Sequence, residues 1–95
     1  MVAKSDILTA ANQIEQALGT LTPNAAPAKA HVFETDWGHL KAIIGSEGFK
    51  DVSLGARQQI VWDFLREKVP KDALAHLIAV YPMGLAEYDR RVTYQ

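Results

Sequence analysis

Apolar and polar residues alternate along this chain in two different periods. Ile7, Ala10, Ala11, Ile14, Ala17 and Leu18 recur at three- and four-residue steps, the signature of one helix face. The pattern predicts a helix over Asp6–Leu18, capped by Ser5 and ended by a left-handed turn at Gly19. Residues 19–28 then form a flexible loop, because Pro23 and Pro27 remove backbone donors and forbid helical continuation. Two short runs of period two follow, Lys29–Thr35 and His39–Gly45, joined by Asp36-Trp37-Gly38. They predict an antiparallel hairpin. Beyond SEGFKDVS, Ser53 is placed to cap a long helix whose apolar face is Leu54, Ile60, Val61, Phe64 and Leu65. Pro70 stops that helix. Leu74–Tyr81 is apolar on both faces and predicts a buried, central third strand, ended by Pro82 and Gly84. LAEYDRR is a short helix or irregular segment, with residues 91–95 as a tail.

The order α-β-β-α-β predicts a single two-layer α+β domain, in which a three-stranded mixed sheet is covered by helices. A length of 95 residues agrees with one domain and leaves no room for two cores. Hydrophobic residues make up 48% and charged residues 22%, a globular composition that argues against wholesale disorder.

Charge and cysteine content narrow the chemistry. Ten basic residues against eleven acidic ones give a net charge of −1, unlike the basic excess of dedicated nucleic-acid binders. The longest apolar stretch, Ala73–Val80, is far shorter than the ~20 residues of a membrane span. The first residues lack the continuous apolar core of a secretory signal, so the expected location is the cytoplasm. With no Cys there is no disulfide, thiolate metal site or Cys nucleophile, and any metal held by this chain takes His, Asp or Glu. No G-x-S-x-G elbow or phosphate-binding loop is present, so an enzyme reading has no positive support.

Two blocks resemble the BolA family. HLKAIIGSEGFKDVSLGARQQIVWDFL is similar to that family's central block, through His39, Leu40, Lys41, Ser46, Phe49, Arg57, Val61 and Leu65. AHLIAVYPMGLAEY resembles its last strand, with His76 at the start and the acidic-aromatic pair Glu87-Tyr88 beyond it. The chain departs from the pattern at Arg57-Gln58-Gln59, where many relatives carry Arg-His-Arg, and in a short hairpin turn without Cys. The resemblance implies an α-β-β-α-α-β fold like a type II KH domain. It also implies a non-enzymatic partner of monothiol glutaredoxins, the two proteins sharing a [2Fe–2S] cluster with glutathione. A role in transcription through nucleic-acid binding is the second function it suggests. The isolated chain is then expected to hold no cofactor and to be a monomer or weak homodimer.

His76 is the leading candidate ligand, since a neutral imidazole can replace a thiolate on iron. Its alternative is a core histidine donating to a backbone carbonyl. His39, at the hairpin tip, is a second candidate; its alternative is a turn residue packed on Trp37. Asp36 in the same turn is a hard oxygen donor, less suited to a sulfide cluster. His31 reads as a surface residue. For nucleic acid the candidates are Arg57, Arg66, Lys68 and Lys71 with the G-x-x-G stretch Gly45–Gly48. Their alternative is a solvated helix face balanced by Asp63 and Glu67. Trp62 lies off its helix's apolar stripe, as a lid over the hairpin or an exposed partner contact.

Overall fold

The computed structural model describes residues 4–93 and their side chains, except those of Lys4, Ser5 and Asp36. Its elements are α1 (Lys4–Leu18), β1 (Ala28–Glu34), β2 (Leu40–Ser46), α2 (Leu54–Lys68), α3 (Lys71–Leu74), β3 (Leu77–Met83) and α4 (Leu85–Thr93). This is an α+β domain around a three-stranded mixed sheet, as the residue pattern predicts. No helix among the described residues is long and apolar enough to cross a membrane.

The α1 stripe is the one read from the period: Ile7, Ala10, Ile14 and Leu18 are buried. The helix includes Ser5, so that residue is not its cap, and Ser5's side chain lies outside the described residues. Gly19 does not turn left-handed; of the described glycines only Gly38 has a positive φ. The helix ends instead on Gly19 N–H bonded to Glu15 and Thr20 N–H bonded to Ala17. Residues 19–28, read as a flexible loop, are seated on the domain. Leu21 and Pro23 are buried, and Asn24 Nδ2 donates to Gly48 O at 2.8 Å. The contact is so close that a Cβ on Gly48 would lie 1.8 Å from the Pro23 carbonyl oxygen. Ser46, buried next to it, donates to Pro27 O and accepts from Gly48 N–H, so its hydroxyl is satisfied.

Strands β1 and β2 pair antiparallel from Ala28↔Ser46 to Glu34↔Leu40, the hairpin expected from the alternation. Strand β3 pairs parallel with β2, and the sheet order is β1-β2-β3. The central strand is therefore β2, and β3 is an edge strand. It also begins at Leu77, since Leu74 ends α3. The reason for the misreading is a bulge. Leu40 pairs with Leu77 but Lys41 pairs with Ala79, so Ile78 is skipped and the in-out parity of β3 reverses. Leu77 and Val80 thereby both reach the core, while Ile78 is exposed. Apolar residues on both parities reflect this switch rather than burial on both sides.

One sheet face, with Leu40, Ala42, Ile44, Leu77 and Val80, packs against α1, α2 and α3 to make the main core with Phe49, Val61 and Leu65. Ser53 caps α2 as expected, its hydroxyl accepting from Ala56 N–H at 3.2 Å. Leu54 is a correction: at 65% exposed it does not belong to the buried face of α2. It stands at the first helical position, ahead of the turns that meet the sheet. The other sheet face is partly covered by α4, where Tyr88 packs with Ile43 and Met83. Tyr88 needs Gly45 beneath it, for a Cβ there would fall 2.3 Å from the tyrosine Cβ. Residues 91–93, read as tail, continue α4; Tyr94 and Gln95 lie outside the described residues.

Two outcomes follow from this packing. Gly48→Ala forces a methyl into a backbone carbonyl that cannot rotate away, and should cost on the order of 2–3 kcal/mol. A thermal melt should show a midpoint roughly 10 °C lower or more. The second concerns alkaline pH. Burial, then the charges of Glu15 and Asp89, raise the Tyr88 phenol above its ordinary 10.0. The unfolded chain therefore releases this proton first, and Tyr88's contribution is whole below pH 10.0 and declines as pH climbs beyond it. Urea titrations of wild type and Tyr88→Phe should diverge only above that pH, with the wild type losing stability faster.

Candidate functional site

Parallel pairing brings the starts of β2 and β3 to the same end of the sheet. Leu40 N–H, one residue after His39, donates to His76 O at 2.8 Å. The two candidate histidines, far apart in sequence, are thus neighbours across adjacent strands. His76 N–H closes the preceding turn by bonding Ala73 O at 3.2 Å. His76 is half-buried and lines a cleft of about 460 Å³ with Asp6, Thr9 and Gln13 of α1 and Asp72 of α3.

The core-histidine alternative does not describe His76. Its imidazole makes no hydrogen bond, ion pair or ring contact with any other described residue, and the same holds for His39. His39 is exposed. It has no indole to pack on, because Trp37 points away from the protein at 93% exposure. Both imidazoles are therefore free to accept a Lewis acid at a ring nitrogen. His31 is separate: it lies in β1, opposite Ile43, and stacks on Phe33 with centroids 5.8 Å apart and planes 19° from parallel.

Two imidazoles do not enclose a metal. Among the described residues no group of three or more His, Asp or Glu side chains could hold one. The side chain of Asp36 lies outside the described residues.

Two of the four basic candidates have partners within the chain. Arg57 is half-buried and works inside the fold: Nε donates to Val52 O at 2.9 Å, and a terminal nitrogen donates to Pro82 O at 3.4 Å. Its guanidinium also lies 6.0 Å from the Phe49 ring centre. Arg66 pairs with Asp63, whose carboxyl is held below its ordinary value by Gln59 and Arg66 hydrogen bonds. Lys68 and Lys71 are exposed. The G-x-x-G stretch is consumed by packing, with Gly45 under Tyr88 and Gly48 against Pro23. Trp62 is half-buried and does not roof the hairpin; it lines a groove beside β3 with Leu54, Ile78 and Tyr81.

Gln58 is a residue that pattern reading passes over. Its amide donates to Val80 O at 2.8 Å, on the strand that has no neighbour beyond it. Together with Arg57 it occupies carbonyls of an open sheet edge. A helix-to-strand bond of this kind joins residues with no local relation, so no spacing rule marks it.

Arg57→Met keeps the apolar stem and removes the donors. It should lower stability by about 1–3 kcal/mol in urea unfolding, whereas Lys68→Ala and Lys71→Ala should each stay within about 0.5 kcal/mol of wild type.

Compared with known proteins, the chain matches no family model and no curated protein.

Proposed function

We propose that this chain is a non-enzymatic adaptor of BolA type. It docks a monothiol glutaredoxin and gives His76, with His39 as second donor, to a shared [2Fe–2S] cluster in iron–sulfur trafficking or iron and redox regulation. The remaining ligands are thiolates of the glutaredoxin and of glutathione, which this cysteine-free chain cannot supply. The observation that carries the reading is that the Leu40–His76 bond brings the backbones of His39 and His76 to one end of the sheet, with neither imidazole bonded to another described residue. The element order through β3, α-β-β-α-α-β, also agrees with what the sequence resemblance implies.

The donor set fits such a cluster as a partial coordination sphere. When bound, the cluster supplies an iron centre whose potential and lability rise as imidazole replaces thiolate. The chain's own residues do the positioning. β2 and β3 fix the two histidine backbones, and the turn from α3 into β3 holds His76 at the lip of its cleft. A reduced glutathione pool places this function in the cytoplasm.

A nucleic-acid role through the KH-like face is the weaker reading, because Arg57 is bonded to backbone carbonyls inside the fold, Gly45 and Gly48 are taken up by packing, and the net charge is −1. DNA and RNA titrations at physiological salt should give only weak binding that disappears as salt rises. Sub-micromolar, sequence-selective binding would reverse the ranking.

The test of the leading reading is anaerobic cluster assembly with a monothiol glutaredoxin and glutathione, followed by size and visible absorption. His76→Ala should keep the apo fold within about 0.5–1 kcal/mol, since its imidazole has no partner to lose. The same change should abolish the mixed cluster or alter its spectrum. His39→Ala should give a smaller spectral change. A destabilised His76→Ala protein that still forms the wild-type cluster would remove His76 as a ligand.

A further inference from the structure

The turn between β1 and β2 carries a feature that iron ligation does not require. Trp37 has φ 73° and ψ 17°, and Gly38 follows at φ 74°. Successive left-handed residues suit a tight hairpin, but the first is ordinarily Asn, Asp or Gly. A bulky side chain is strained in that region, and such strain persists where function needs it.

The fold returns nothing to this indole. Trp37 is 93% exposed, the most exposed large apolar side chain among the described residues. The turn is nevertheless braced. Thr35 N–H donates to His39 O at 2.7 Å, and Thr35 Oγ1 donates to the same oxygen at 3.2 Å. On the inner side, a Cβ on Gly38 would lie 3.1 Å from Ile7 Cδ1, so the tip rests against α1. A braced turn in an unfavourable conformation holds a fully exposed indole two residues before His39. It does so at the end of the sheet that carries His76.

Strain and apolar exposure together weigh against the isolated chain, and a contact made outside it can offset both. Tryptophan is the residue type most enriched among interface hot spots, and its few torsions make it inexpensive in entropy to fix.

We infer that Trp37 is the docking anchor for the thiolate-bearing protein that completes the site. Its indole makes the apolar contact with that protein and sets its approach to the end of the sheet that carries His39 and His76. This inference rests on the proposed function and adds a division of roles: Trp37 governs affinity for the partner, and His76 governs iron ligation.

The test uses the full chain with Trp37→Asn, because Asn tolerates the left-handed turn. In the absence of a partner, its thermal midpoint should equal or exceed that of wild type, as strain is relieved. Its affinity for a cluster-free monothiol glutaredoxin, measured with glutathione present, should fall at least tenfold, in the range of a hot-spot loss. Trp37→Phe should fall between the two. At saturating glutaredoxin the cluster spectrum of Trp37→Asn should match wild type, whereas His76→Ala should not. A wild-type chain that binds glutaredoxin and builds the mixed cluster, beside a Trp37→Asn chain binding within twofold of it, overturns the anchor and leaves the proposed function standing. A clearly lowered midpoint for Trp37→Asn assigns the indole a structural role and also overturns the anchor. A wild-type chain that neither binds glutaredoxin nor forms a cluster overturns both.

Discussion

Parallel pairing of β2 with β3 is the constraint on which the rest of the structure depends. Parallel neighbours cannot be joined by a tight turn; the chain must cross from one end of the sheet to the other. Here α2 and α3 make that crossing and provide the cover for one sheet face. The same geometry puts both strand beginnings at one end, so His39 and His76 meet there without being near in sequence. Were β3 antiparallel to β2, its first residue would lie at the opposite end, and the two imidazoles would face different surroundings.

Both outer strands of so small a sheet expose backbone groups that invite pairing with other chains. The protein occupies part of each edge with helix side chains. Glu15 of α1 accepts from Val32 N–H of β1 at 3.0 Å, while Gln58 and Arg57 of α2 donate to Val80 and Pro82 carbonyls of β3. Pro82 has no N–H to offer in any case. Three helix side chains thus bond to strand backbone. This is why Arg57, which in sequence resembles a phosphate contact, is bound up in the architecture.

The sheet's two faces are covered unequally. The face toward α1, α2 and α3 holds most of the buried apolar side chains, and α4 covers part of the other through Tyr88 on Gly45. The hairpin tip and the start of β3 lie away from the Gly45 end that α4 covers. At that end Trp37 and His39 are exposed and His76 is half-buried, and Ile7 of α1 lies against the tip at Gly38.

Periodicity alone determined the α1 stripe, the β1–β2 hairpin with its Asp36-Trp37-Gly38 turn, the Ser53 cap and the α+β class. Each depends on contacts within a few residues or on a repeat that one face of one element imposes. The resemblance to a family pattern, and not periodicity, singles out His76 and His39 as candidates. Only the tertiary structure decided that β2 is central and β3 an edge, because a single skipped residue, Ile78, reverses parity and mimics two-sided burial. Tertiary packing likewise seated the proline segment on Gly48 and turned Arg57 inward. Most of all, it placed two distant histidines side by side, for strand order and direction are set by long-range pairing that no local pattern records.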